Sequence, residues 1–287
     1  MDDDIIVAEN LTKRFGNKIA VDGIDLRVRR GEVFGFLGPN GAGKTTTVRL
    51  LSSLAKMDDG TVTIAGYDLS KEASKAKGSM GVIQQHISLD KDLTVYENMM
   101  QHAMYHKIPR AQRDADIQRL VSYVGLEEYL DSMVDSLSGG WKRRVAIVCA
   151  LFHNPEIIFL DEPTVGLDIQ ARRLLWDLVR KLNKDGTTVF LTTHYIEEAE
   201  ALCDRVGIIN HGKIIALNTP ENLGQSVGNT AVEYFSSDGK SQYRYFKQRE
   251  QANDFANGLG KEYTVTVRKT NLEDCFVELT GRTVGGA

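Results

Sequence analysis

An α/β fold is what the sequence predicts: a core of buried strands, an antiparallel β subdomain, an inserted helical subdomain and a small C-terminal α+β domain. Three observations carry that expectation. The runs Val33-Phe34-Gly35-Phe36-Leu37 and Ile157-Ile158-Phe159-Leu160 lack polar alternation, as do strands covered on both faces of a parallel sheet. A glycine-rich loop, Gly38 to Thr46, separates the first run from a helix opening at Thr46-Thr47-Val48-Arg49-Leu50-Leu51. The segment from 86 to 150 is mostly helical, and the texture changes again after Thr219-Pro220.

The loop reads Gly38-Pro39-Asn40-Gly41-Ala42-Gly43-Lys44-Thr45-Thr46, satisfying G-x-x-x-x-G-K-[ST] in the strand-then-helix context that gives the pattern meaning. Its glycines let the backbone curl so that successive N–H groups point at phosphate oxygens, and the helix N-terminus adds partial positive charge. Lys44 would reach the terminal phosphates, and the Thr45 hydroxyl would complete a magnesium shell. The core is therefore expected to be of the P-loop NTPase kind, holding a nucleoside triphosphate.

The chain has 287 residues, enough for one large domain or one domain plus a small one. A net charge of −4 gives no footprint for nucleic acid as a primary ligand. Three scattered cysteines, Cys149, Cys203 and Cys275, argue for a reducing compartment and against a disulfide frame or zinc site. The opening Asp2-Asp3-Asp4 is unlike a signal peptide, and no apolar run approaches the ~18 residues a membrane span requires. The expectation is a cytosolic chain whose membrane role comes through a partner.

Ile5 to Leu11 and Ile24 to Val28 read as antiparallel strands, the second with period-two alternation. Phe15, between them, could stack on an adenine ring or simply pack. Gly60 to Gly66 and Met80 to Gln85 are further strands; Thr94-x-x-Glu97 is a capping box opening a helix to His106. A second helix, Ala111 to Val124, stops at Gly125. Ser138 suits the N-cap of a helix beginning near Trp141 and stopped by Pro155. Asp161 and Glu162 sit at the C-terminal tip of the apolar strand, where α/β sheets place their ligands, so a metal or a reacting water is their natural occupant. Asp168 caps a helix with the apolar face Leu174, Leu175, Leu178, Val179 and Leu182; Thr187 to Thr193 is the next buried strand, closing at His194, structural or functional. A hairpin turns at Asn210-His211-Gly212. Beyond it lie strands 231–235, 242–246 and 263–267, with helices following Arg249 and Asn271.

Taken in order, these strings resemble the ATP-binding cassette (ABC) ATPases, the motor subunits of ABC transporters, over the first three quarters of the chain. Gln85 falls in the glutamine loop, and Leu137-Ser138-Gly139-Gly140 matches the signature motif. Ile157 to Glu162 matches the strand bearing the magnesium aspartate and catalytic glutamate. Val165-Gly166-Leu167-Asp168 matches the loop coupling two active sites, His194 the switch histidine, and Phe15 the adenine-stacking aromatic. The run Ser138 to Arg144 and the ending Leu272 to Gly281 look like the ABC-2 group, whose members export drugs, sodium, polysaccharides or lipids. Trp141 departs from the glutamine usual in the wider family.

The resemblance implies ATP and Mg2+ as cofactors and assigns the roles. Lys44 and the backbone of Gly41 to Thr46 hold the β- and γ-phosphates; Thr45 and Gln85 ligate magnesium, and Asp161 orients its waters. Glu162 is the general base, and His194 fixes the γ-phosphate. Ser138, Gly139 and Gly140 act on the nucleotide of the opposite cassette, so the chain pairs with a second copy or a homologous cassette. It also implies an integral-membrane permease of ABC-2 type, docked on the helical insert near Leu89, Leu93 and Tyr96, residues that could equally be the insert's own core. Residues 1–222 would form the cassette, 223–287 the accessory domain, at the cytoplasmic face of the membrane.

Overall fold

The computed structural model describes residues 3–235, 241–260 and 262–281. Asp2 and the expected domain's last residues, 282–287, lie outside them.

The chain opens with β1 (Asp4–Phe15), β2 (Lys18–Arg29) and β3 (Val33–Leu37), then α1 (Lys44–Leu51), β4 (Asp59–Ile64), β5 (Tyr67–Asp68), α2 (Ala73–Gly78) and β6 (Met80–Ile83). α3 (Val95–Tyr105), α4 (Arg110–Val124) and α5 (Gly139–Leu151) follow, then β7 (Ile157–Asp161), α6 (Ile169–Lys184), β8 (Thr188–Thr193) and α7 (Ile196–Leu202). The hairpin of β9 (Arg205–Asn210) and β10 (Lys213–Asn218) leads through α8 (Pro220–Ser226) to β11 (Thr230–Phe235), β12 (Ser241–Phe246), α9 (Arg249–Gly258), β13 (Thr264–Lys269) and α10 (Leu272–Thr280). α8 spans the boundary expected at 222/223.

Three sheets organise these elements. The six-stranded sheet runs β10-β9-β3-β8-β7-β6, with β3, β6, β7, β8 and β9 parallel and β10 antiparallel at the edge. Its central strands are buried on both faces because alternate side chains enter different cores. Phe34, Phe36, Phe159 and Phe190 face the antiparallel sheet β2-β1-β4-β5, with Phe190 centred 5.5 Å from Phe34 and 5.5 Å from Phe159. Leu37, Ile158, Leu160, Val189 and Leu191 face the helical insert and α6. The third sheet, β12-β11-β13, belongs to the C-terminal region.

The expected local signals largely appear. Thr94 and Glu97 form a reciprocal capping box, and Gly125 ends α4 in the left-handed region at φ 70°. The β9–β10 turn puts both His211 (φ 47°) and Gly212 (φ 79°) in that region, as a type I′ hairpin requires. Four expectations need correcting. β1 runs on through Phe15, because register shifts on either side of Leu11 keep it paired with β2 where a break seemed due. Ser138 occupies the N-cap of α5, but its side chain makes no capping hydrogen bond. Leu174 is 47% exposed, since the apolar stripe of α6 that meets the core is Leu175, Leu178, Val179 and Leu182. α5 is more than the last helix of an insert: it also packs on β6 and α6, joining the insert to the main sheet.

Three histidines meet where α3 approaches the end of α5. His106 stacks on His153 with ring centroids 4.2 Å apart, and His153 Nε2 lies 2.9 Å from the Met80 carbonyl. Burial, with His153 and His102 nearby, pushes the His106 imidazolium down to about 4; burial also lowers His102 and His153. An unfolded histidine titrates near 6.5. Between those values the unfolded chain binds more protons, so this stability is complete above pH ~6.5 and is lost as pH falls toward ~4. Thermal melts from pH 7.5 to 4.5 should show the loss, and His106→Gln should flatten that slope. An unchanged slope would refute the assignment.

Candidate functional site

The ends of β3, β6, β7 and β8 and the start of α1 converge on one cleft, of about 620 Å³, lined by Phe15, Lys18, Ala20, Asn40, Gly41, Gly43, Lys44, Thr45, Thr46, Gln85, Glu162, Val165 and His194. The loop from Gly38 delivers the N-terminus of α1 into it. Gly43, at φ 115°, tolerates no side chain: a Cβ there would lie 2.5 Å from the Ala20 carbonyl oxygen. No side chain caps α1, so its first N–H groups are left for a ligand.

Lys44 and Glu162 form the centre. Lys44 Nζ, 5% exposed as a residue, donates to the carbonyls of Gly38 (2.7 Å) and Pro39 (3.1 Å) and pairs with Glu162 Oε1 at 3.0 Å. The other carboxylate oxygen, Oε2, lies 3.3 Å from His194 Nδ1, within ion-pair range though without hydrogen-bond alignment. Glu162 sits in the left-handed region at φ 47°, a conformation a side-chain-bearing residue holds only when its surroundings impose it.

One layer deeper, Asp161 is 2% exposed and accepts at Oδ1 from the hydroxyls of Thr45 (3.2 Å) and Thr192 (2.6 Å). Gln85 borders the same cleft. Hydroxyl, amide and carboxylate oxygens make a hard donor set of the kind magnesium takes beside nucleotide phosphates. Among the described residues no cluster of three His, Cys, Asp or Glu could hold a metal. The donors fit a magnesium ion that arrives with the nucleotide.

Phe15 is 56% exposed on the cleft wall, an aromatic face open for stacking, where a core residue would be covered. Ser138, Gly139, Gly140 and Asp168 do not line the cleft. Asp168 accepts from the Ala171 N–H at 2.8 Å as the N-cap of α6. Gly140 has a packing reason within its own chain, because a Cβ there would lie 2.8 Å from the Ala171 Cβ. Trp141 packs inward on Tyr129 (ring centroids 4.3 Å apart) beneath the Arg144 guanidinium.

The family model described as ABC transporter matches residues 21–165, half of the chain, from β2 through the phosphate loop to the loop after Glu162. The chain belongs to the ABC transporter family. As a member it is an ATP-binding, ATP-hydrolysing subunit, and the cleft is where its nucleotide chemistry is to be sought. The linearmycin resistance ATP-binding protein LnrL of Bacillus subtilis is 37% identical over 98% of this chain and 99% of its own length. The Nod factor export ATP-binding protein I of Burkholderia lata is 38% identical over 95% of this chain and 96% of its own. A solved dimeric post-hydrolysis state of an ATP-binding cassette bound to ADP and Pi covers 75% of this chain with a TM-score of 0.68 and 28% identity. Among the described residues no helix is long and apolar enough to cross a membrane.

Two residues to which the motif reading gave no role shape this ABC site. Arg143, 4% exposed, sends its guanidinium from α5 to the carbonyls of Gln84 (2.7 Å) and Gln85 (3.1 Å), and burial lowers its pKa. Its place in the signature run was visible, but its target was not. Thr192 sits on β8 beside Asp161, and no spacing rule relates those two positions. Lys18 and Ala20 enter the cleft only because the β1–β2 hairpin folds over it.

Proposed function

We propose that this chain is the energy-coupling subunit of an ABC-2 type export system, acting at the cytoplasmic face of the membrane. Residues 1–222 form the cassette, with the helical insert at about 86–150, and 223–287 an accessory domain. Two cassettes, identical or homologous, close around two ATP molecules, each with Mg2+, and drive a separate integral-membrane permease. The observation carrying the mechanism is the Lys44–Glu162–His194 line, buried at Lys44 and Glu162 and half-buried at His194, beside the Thr45–Asp161 pair.

Phe15 stacks on the base. Lys44 and the N–H groups of Gly41 to Thr46 bind the β- and γ-phosphates. Thr45 and Gln85 would hold magnesium, with Asp161 orienting its waters, and the ion would neutralise charge on the phosphates. Glu162 takes the proton of the attacking water, and His194 fixes that carboxylate and the γ-phosphate. Lys44 pairs with Glu162 at 3.0 Å; a γ-phosphate would compete for the same cation and free the carboxylate to act as base. Ser138, Gly139, Gly140 and Asp168 stand outside their own chain's cleft, as residues serving a partner cassette's nucleotide would. Closure then depends on ATP, and hydrolysis releases it. The export direction and the ABC-2 assignment rest on the names of the relatives and on the Ser138 to Arg144 run.

Affinity purification of the chain from detergent-solubilised membranes of its own source, followed by mass spectrometry, tests this reading. The expected companion is a stoichiometric permease with several transmembrane helices. Recovery only from the soluble fraction, with ribosomal or DNA-repair proteins, would overturn it.

A further inference from the structure

We propose that Thr192 is a positioning residue for magnesium-dependent nucleotide binding, setting Asp161 and Glu162 together through one hydroxyl. The inference rests on the reading that Asp161 belongs to the magnesium shell. Thr192 is fully buried on β8, level with Asp161 on the adjoining parallel strand β7. Its Oγ1 donates to Asp161 Oδ1 at 2.6 Å and accepts the Glu162 N–H at 2.9 Å.

A hydroxyl has one proton and two lone pairs, and an ionised carboxylate only accepts. The short bond to Asp161 therefore takes the Thr192 proton, and a lone pair remains for the Glu162 N–H. That second bond reaches the backbone of the residue in the left-handed conformation, at φ 47°. The same N–H also reaches the Thr192 carbonyl at 3.2 Å, so the hydroxyl reinforces a link that the sheet alone makes long. The bond to Asp161 is charge-assisted, the stronger class, and fixes which way the carboxylate turns. Thr45 donates to the same Oδ1 at 3.2 Å, the longer of the two contacts. Thr192 thus holds the carboxylate for the ion and the backbone of the base from one point.

A hydroxyl that merely stitched β7 to β8 would affect stability alone, whereas this role is specific to the metal. Thr192→Val keeps the branched shape and removes both bonds, and Thr192→Ser keeps the hydroxyl. MgCl2 is titrated into each variant with a fluorescent ATP analogue, in parallel with nucleotide binding in EDTA and a thermal melt. Thr192→Val should raise the half-saturating Mg2+ about tenfold, as expected on losing a hydrogen bond to a charged group. Its nucleotide affinity in EDTA should stay within about twofold of the parent, and Thr192→Ser should restore the parent's magnesium dependence. Should the valine disturb folding, Thr192→Ala carries the same expectation. Asp161→Asn is the control. If it leaves the magnesium requirement unchanged, the placement of Asp161 in the shell is wrong and the inference fails with it. If Asp161→Asn shifts that requirement and Thr192→Val does not, the inference alone is overturned. A Thr192→Val loss equal in EDTA and in magnesium would likewise overturn it.

Discussion

Glu162→Gln should bind ATP as the parent does yet turn it over at least a hundredfold more slowly. The amide keeps the shape of the carboxylate and an oxygen for Lys44, but it cannot take a proton from water, and a positioned general base contributes roughly 10²–10⁴ in rate. Because the nucleotide is not consumed, the closed pair of cassettes should accumulate, visible as an ATP-dependent shift to a dimer on size exclusion. The left-handed backbone at φ 47° is indifferent to the exchange, but buried Lys44 loses its counter-charge, so the variant should melt somewhat lower without nucleotide. A variant that stays monomeric with ATP and still hydrolyses it would refute the base assignment.

Lys44→Ala should show two losses together. It removes the cation that meets the terminal phosphates, costing on the order of 3 kcal/mol at the transition state by the scale of oxyanion-type donors. It also leaves Glu162, 7% exposed, without the ammonium that sits 3.0 Å away. Breaking one side of a buried ion pair strands the other charge, so the variant should melt at a lower temperature without nucleotide. Binding of a fluorescent ATP analogue and turnover measure the first loss, and a thermal melt the second. Near-normal turnover would refute the phosphate-loop reading, whereas normal melting with poor binding would refute only the stabilising part. Adding Glu162→Gln to Lys44→Ala should recover part of the lost melting temperature and none of the turnover, since it removes the stranded charge but also the base.

The site was legible in the sequence wherever a function is written into consecutive residues. The loop from Gly38 to Thr46 needs its glycines, its lysine and its threonine at fixed spacing, and the cleft is built on that loop. Asp161 and Glu162 were legible because an all-apolar strand must end at a sheet edge, and its tip is where ligands sit. What could not be read is what two strands distant in sequence do to each other. Thr192 lies 31 residues from Asp161, yet the register of β7 and β8 places their side chains in contact. Lys18 belongs to no motif, and it reaches the cleft only because the β1–β2 hairpin folds over the loop. Leu174 misled in the opposite sense: helical periodicity allows a wider apolar stripe than the neighbours of α6 cover, and only packing decides which edge stays wet. In the C-terminal region the element types were readable from alternation and capping, as with Asn271 and Asp274 at the start of α10. Its role was not, because its packing carries no comparable motif.

The grip of Arg143 on the carbonyls of Gln84 and Gln85 gives α5 the mechanics of a lever. A planar guanidinium bonded to two successive peptide groups fixes both peptide planes, so neither can flip unless the fork lets go. Arg143 stands five residues along from Ser138, about 7–8 Å up the axis at 1.5 Å per residue. Between the two, Gly140 lies close to α6, where an added Cβ would come within 2.8 Å of the Ala171 Cβ. A tilt of α5 would therefore move Ser138 and the backbone of Gln85 together. Displacement of the Gln84–Gln85 backbone is thereby tied to displacement of the N-terminus of α5.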